Sequence, residues 1–234
     1  MLKLLEEKQR RIQRNKIDSY FPDAGKLRRE LYPKHLEFFA AGRSYRERCF
    51  MAANRIGKTE GAGGYETALH LTGQYPKWWV GRVFDSGVSF WAAGKTNETT
   101  RDIVQKKLFG DVVGSGPGKT VSGTGMIRGD LIGKISWKQG VSDMIDTAKV
   151  LHKPTGEWSV LGLKSYQQGR GAFEGTEQHG IWLDEEPQIE IYGECLIRTA
   201  TTDGLIMLTF TPLEGMSQTV LQFVPHGLPK DKDA

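Results

Sequence analysis

What this chain can fold into is constrained most by one junction. The octapeptide Ala52-Ala53-Asn54-Arg55-Ile56-Gly57-Lys58-Thr59 joins an apolar run that begins at Cys49 to a helix-periodic stretch, Glu60 to Leu71. A buried strand that turns directly into a helix leaves unpaired backbone N–H groups at the helix start, where they can wrap a phosphate chain. Gly57 allows close backbone approach, Lys58 is placed to reach β- and γ-phosphates, and the Thr59 hydroxyl suits a magnesium ion. The pattern G-x-x-x-x-G-K-[ST] is met imperfectly, because Ala52 stands where the first glycine is expected. Gly-Lys-Thr also recurs at Gly94 and Gly118, and neither copy has the upstream glycine. Context separates the three. At Gly94 the apolar run Val88 to Ala93 reaches the glycine and leaves no room for a loop, and at Gly118 no strand leads in and no helical pattern follows. Both read as ordinary loop chemistry.

The 234 residues, 38% hydrophobic and 26% charged, suit one sizeable α/β domain. No apolar stretch is long enough to span a membrane and no secretory signal is seen, so the expected setting is cytoplasmic. Cys49 and Cys195 read as small core hydrophobes rather than a metal knuckle or a disulfide. A net charge of +4 permits an anionic partner without requiring one. Lys3 to Lys16 is expected to be a helix with a basic cluster at Arg10, Arg11, Arg14 and Lys16, able to touch DNA or simply to face solvent; Tyr20-Phe21-Pro22 breaks it. A short helix is expected over Lys34 to Ala41. Val88 to Ala93 and Thr96 to Leu108 then repeat strand and helix, with Thr96 or Thr99 as cap, which is the signature of a parallel sheet. Trp78 and Trp79 read as packing residues. The glycine-rich span Gly110 to Gly129 reads as a mobile loop or irregular excursion. Further strands are expected at Ile135 to Trp137, Thr147 to Leu151 and Trp158 to Leu163, the last two joined by a turn at Lys153 to Gly156.

A second landmark follows, Ile181-Trp182-Leu183-Asp184-Glu185-Glu186-Pro187. Bulky apolar residues ending in carboxylates describe a buried strand whose C-terminal end carries acid into a site, where parallel sheets place ligands. Asp184 would hold Mg²⁺ and Glu185 would polarise an attacking water; the alternative is that both merely lead into a helix near Pro187. Gly204 to Pro212 repeats the design with hydroxyls, Thr209 and Thr211, at its end, which suit sensing a γ-phosphate or a simple turn.

With these stretches in order, the sequence resembles the ATPase part of large terminase subunits of tailed bacteriophages, over roughly Tyr32 to Pro212. Tyr32-Pro33-Lys34-His35-Leu36-Glu37-Phe38 is similar to the family's adenine-side motif, with His35 where many members carry glutamine. The most specific likeness is Leu163-Lys164-Ser165-Tyr166-Gln167-Gln168-Gly169-Arg170-Gly171 leading into Asp184 and Glu185, and Thr209-Phe210-Thr211-Pro212 resembles the family's coupling motif. The resemblance implies an α/β fold of the P-loop NTPase class, additional-strand catalytic-glutamate type, with a mainly parallel central sheet flanked by helices. It also implies ATP and Mg²⁺ as ligands. ATP contacts would come from Tyr32, Pro33, His35 and Phe38 on the base side and from Asn54, Arg55, Ile56, Gly57, Lys58, Thr59 and Glu60 in the loop. Thr59 and Asp184 would ligate the metal, Glu185, Lys58 and Arg55 would act in catalysis, and Thr209 and Thr211 would couple nucleotide state to movement. Arg55 is the first choice for a γ-phosphate contact within the chain, and Arg170 or Arg101 for reaching a neighbouring subunit's ATP.

The implied domain division is a helical arm over 1–30, the motor over 31–224 and a linker or trimmed end over 225–234, with the family's nuclease domain and its activity absent. The implied partners are double-stranded DNA held without sequence preference, a portal protein, a small terminase subunit and copies of the chain itself in a working ring, with no membrane. The implied location is the host cytoplasm rather than the mature virion. Two rivals remain open at this point: a helicase-like translocase on the same fold, and a nucleotide-binding assembly module with little activity alone.

Overall fold

The structure is a computed structural model that describes residues 15–213 and 215–226. Nearly all of the expected Lys3–Lys16 helix, and of the end segment from 225, therefore lies outside the described residues. Five strands in parallel form the heart of the fold, extended on one side by an antiparallel wing. The order is β1 (Glu47–Met51), β9 (Leu205–Phe210), β8 (Gly180–Asp184), β2 (Ser89–Gly94), β7 (Glu157–Ser165), β6 (Ile145–His152) and β5 (Ile132–Trp137). Neighbours from β1 to β7 run parallel, whereas β6 and β5 run antiparallel. The sheet is the expected parallel one, and its wing is a pair of hairpins because the joining turns are too short for a crossover.

Both faces of the central strands are buried, which explains why their sequences read as unbroken apolar runs. Phe90, Ala92, Trp182 and Met207 point into one core together with Phe38, Phe39, Phe50, Tyr65 and Leu69. Trp91, Ala93, Ile181, Leu183, Ile206 and Leu208 point into the other, covered by Ile191, Tyr192, Cys195 and Val220. Helices α1 (Pro33–Ala41) and α2 serve the first core; α2 is a π-helical stretch, Lys58–Gly64, running on into an α-helix, Tyr65–Thr72. Helices α4 (Ile189–Ala200) and α5 (Gln218–Phe223) serve the second. Between them in the chain, α3 runs through Asn97–Thr99, Thr100–Gln105 and Lys106–Phe109. Thr96 caps it as expected, accepting from the Thr99 backbone while Thr99 returns the bond.

Gly63 of α2 explains how helix and sheet come so close. A Cβ there would sit 2.1 Å from Nε1 of Trp182, so only hydrogen fits between the helix and the middle of β8. Trp78 and Trp79 pack against this same core, and Cys195 is buried.

Of the two readings of the Gly110–Gly129 span, the structure has the excursion: β3 (Val112–Val113) pairs with β4 (Thr120–Val121), and Met126 and Ile127, at most 1% exposed, anchor its return. The described part of the expected arm forms short 3₁₀ turns, and its Ile17 and Phe21 sit inside the first core. Phe21 lies edge-on to Tyr32, Phe39, Tyr65 and Trp78, so burial of an aromatic ring recruits the segment into the domain.

Candidate nucleotide site

The turn after β1 lies beside the C-terminal ends of β9 and β8, because β9 is inserted between β1 and β8 in the sheet. That insertion brings Lys58, Thr59, Asp184, Thr209 and Thr211 together from three distant parts of the sequence. Gly57 initiates α2 with φ +88°, a left-handed conformation that glycine adopts without steric cost. Its carbonyl accepts from both Gly61 and Ala62, at 2.7 and 3.1 Å, so the first turn is wider than an α-turn.

The Lys58 ammonium is held inside the loop. It donates to the carbonyls of Ala52 and Ala53, at 2.8 and 2.6 Å, and to the Thr211 hydroxyl at 2.8 Å. Burial lowers its pKa, opposed by the charges of Glu185 and Asp184. Thr211 in turn lies 2.9 Å from the Ala52 carbonyl and from Oδ1 of Asn54, so the end of β9 is hydrogen-bonded to the phosphate loop itself. Below it, Oδ1 of Asp184 accepts from the hydroxyls of Thr59 at 2.9 Å and Thr209 at 2.8 Å, and Thr209 accepts from Nε1 of Trp182 at 2.7 Å. Asp184 is 3% exposed, and burial raises its carboxyl to about 7 although both hydroxyls and Lys58 pull it down.

Glu185 follows with φ +68° and lies exposed at the mouth. A buried carboxylate flanked by hydroxyls and a solvent-facing carboxylate one residue on are the donor set for a hard cation and for a bound water. Among the described residues no group of three or more His, Cys, Asp or Glu side chains gathers to hold a metal by itself. Two oxygen donors and a phosphate chain suit magnesium, which keeps several waters.

Next to the loop opens a cavity of about 610 Å³. Tyr32, Pro33, His35, Arg55, Ile56, Gly57 and Glu60 line it, as the sequence leads one to expect, and so do Tyr20, Phe21, Leu27 and Leu31, which sequence reasoning missed. His35 borders it while only 5% exposed, its ring against Phe50, Tyr32 and Phe21, and burial lowers its pKa so that it stays neutral. Arg55 lines the cavity from an exposed position with φ +65°. Glu60 points to its margin, where Lys107 at 2.5 Å and Lys16 grip it; those bonds, with one from Tyr20, outweigh burial and hold its carboxyl down at about 2.

Phe38, and the two arginines expected to act on a neighbouring subunit's ATP, Arg170 and Arg101, do not line this chain's own cavity. Phe38 is a core residue that does not line the cavity: its ring lies 4.6 Å under the Arg48 guanidinium and packs on Phe50. Arg170 pairs with Glu194 of its own α4 at 3.1 Å, and Arg101 forks onto Asp102 at 2.7 and 3.0 Å. Neither borders the loop or the cavity.

Residues 49–230 match the family model "Terminase large subunit, T4likevirus-type, N-terminal". The chain is 37% identical over 244 residues to the terminase large subunit of Salmonella phage P22, covering 97% of this chain and 46% of that protein, so it spans about half the length of this relative. Among solved structures, a mutant ATPase domain of the large terminase of Thermus phage P74-26 aligns with a TM-score of 0.47 and 14% identity over 80% of this chain and 67% of that one. The large terminase of a thermophilic bacteriophage aligns with 0.49 and 12% over 85% and 38%. The family match over most of the chain and the near-full-length sequence relative carry the conclusion: this chain belongs to the large terminase subunit family and corresponds to its N-terminal part.

Proposed function

We propose that this chain hydrolyses ATP and uses the reaction to drive double-stranded DNA into a viral procapsid. The observation that carries the proposal is the set Thr59, Asp184 and Thr209, joined by hydroxyl–carboxylate bonds at the start of the loop helix, beside Lys58. The triphosphate would lie along the Asn54–Thr59 backbone, with the base in the cavity between Tyr32, Ile56 and the 20–31 segment. Thr59 and Asp184 would hold Mg²⁺, which when bound neutralises phosphate charge.

The ammonium of Lys58 would exchange its loop carbonyls for phosphate oxygens, and Arg55 would close over the terminal phosphate from its exposed position. Glu185 would accept a hydrogen bond from the attacking water and orient it in line. Positioning and charge stabilisation of this kind are most of what phosphoryl transfer asks of a protein. Thr211 bonds both Lys58 and Asn54, so drawing Lys58 towards phosphate would release the end of β9; this supports Thr211 as a coupling residue, beside Thr209 on the same strand end. DNA would be gripped through its phosphate backbone, since packaging must tolerate any sequence. A portal protein, a small terminase subunit and ring neighbours are the proposed partners, in the host cytoplasm.

Phosphate release by the purified chain, measured against protein concentration with and without duplex DNA, tests the proposal. Turnover should rise with concentration, and Glu185→Gln should lower kcat by about 100-fold or more while nucleotide still binds. An unchanged rate in Glu185→Gln would remove Glu185 from catalysis. Nucleotide binding with no turnover at any concentration would place the function in assembly instead.

A further inference from the structure

Glu185 is the proposed water-orienting carboxylate, yet no hydrogen bond from a described side chain holds its own carboxyl group. Its aim is set by its backbone, which sits in the left-handed region at φ +68°. A residue with a Cβ occupies that region only where its surroundings over-determine it.

The surroundings here are three separate elements. Tyr166 is 3% exposed, and its hydroxyl lies 2.9 Å from the carbonyl of Asp184 and 3.0 Å from that of Glu185, so one donor serves the two carbonyls that flank the strained residue. The N–H of Glu185 donates to the Thr209 carbonyl at 3.1 Å. From α5, Ser217 bonds the Glu186 carboxylate, and the Thr219 hydroxyl donates to the Pro187 carbonyl at 2.9 Å. Tyr166 is itself fixed: its 3₁₀ turn, Tyr166–Gln168, is closed by bonds between Ser165 and Gln168, and the Gln167 N–H donates to the Lys95 carbonyl at 3.1 Å. The ring packs beside Phe173 in the second core, so its position does not depend on the hydroxyl.

We propose that Tyr166 is a positioning residue for the reaction, holding Glu185 in the one backbone conformation that points its carboxylate at the attacking water, with Thr219 bracing the same turn through the Pro187 carbonyl. This rests on the reading of Glu185 as the residue that orients water.

The test is steady-state ATP hydrolysis by the full chain and by Tyr166→Phe, Thr219→Val and Glu185→Gln, at temperatures well below each protein's melting point. Tyr166→Phe keeps the ring and deletes the donor. Its kcat should fall about tenfold while KM for ATP stays within about twofold, because orientation is lost and binding is not. Thr219→Val should lower kcat in the same sense by a smaller factor, and it serves as the second probe if Tyr166→Phe does not fold. A wild-type kcat in Tyr166→Phe, or a change confined to KM, overturns the proposal. If Glu185→Gln is inactive while both other variants turn over normally, the positioning role alone falls. If Glu185→Gln is fully active, or the wild-type chain shows no turnover, the catalytic reading falls and takes this one with it.

Discussion

The two ends of the nucleotide site are built in opposite ways. At the phosphate end, the groups that matter are neighbours in sequence or sit at strand ends in register: Asp184 lies opposite Thr209, and Thr209 opposite Phe50, two residues before the loop begins. At the proposed base end, Tyr32, Pro33 and His35 belong to a stretch that resembles a known motif, but the rest of the wall comes from residues 20–31, which no local pattern marks as a site and of which Phe21 is held by aromatic packing with Tyr65 and Trp78. A phosphate is recognised by backbone N–H groups and a few fixed charges, and a base by a shaped apolar surface. The first leaves a motif in the sequence, and much of the second leaves only apolar and aromatic residues that resemble any other core.

The difference can be broken most severely at Phe21. If the base wall is part of the core, Phe21→Ala should cost about 3–5 kcal/mol of global stability in chemical denaturation, the range for emptying a buried aromatic site. An independent arm would give a shift near zero. Lys58→Ala should do the reverse, leaving stability close to wild type and weakening ATP binding by about 100-fold, roughly 2.7 kcal/mol, because its three loop acceptors are offered to water while a charge-assisted phosphate contact is lost. A Lys58→Ala protein that binds ATP normally, measured by titration calorimetry, would move the phosphate site to another Gly-Lys-Thr triplet.

How much was legible follows the same line. Strand, loop and helix around Lys58, the acidic end of β8 and the hydroxyls of β9 were readable because each is a local pattern with a local cause. The insertion of β9 between β1 and β8 leaves no local pattern in the sequence; in the structure it is what brings Thr209 and Thr211 to the site. Phe38 stands in the motif-like stretch yet is spent on the core, because the Arg48 guanidinium and Phe50 cover its ring. Tyr166 carries no local mark of its role, since nothing in the sequence says that its hydroxyl meets a backbone eighteen residues on. The glycines of the Gly110–Gly129 span suit a mobile loop as well as an irregular excursion, and the burial of Met126 and Ile127 favours the second.

Gly63 lies where the two ends share one helix. Adding a methyl group in Gly63→Ala forces α2 away from Trp182 and disturbs the Trp182–Thr209–Asp184 chain. Overpacking of this kind costs about 1–3 kcal/mol. Phosphate affinity should fall together with stability, unlike either preceding variant. A loss of stability with unchanged affinity would show that the acidic strand end does not depend on helix seating.

The smallest effect belongs to Glu60, which joins the two ends through its bonds to Lys107, Lys16 and Tyr20. Its folded pKa, about 2, lies below the unfolded carboxylate value near 4.5. Its stabilising contribution is therefore fully present above about pH 4.5 and is lost as pH falls towards 2. Because both lysines are partly solvated, screening reduces the contribution to about 1 kcal/mol. Glu60→Gln should then melt about 2–4 °C below wild type at pH 7, with the gap closing as the pH is taken below 4. A gap that stays constant across that range would mean that the residue acts through packing, and that the segment around Lys16 and Tyr20 is held to the loop helix by its aromatic residues alone.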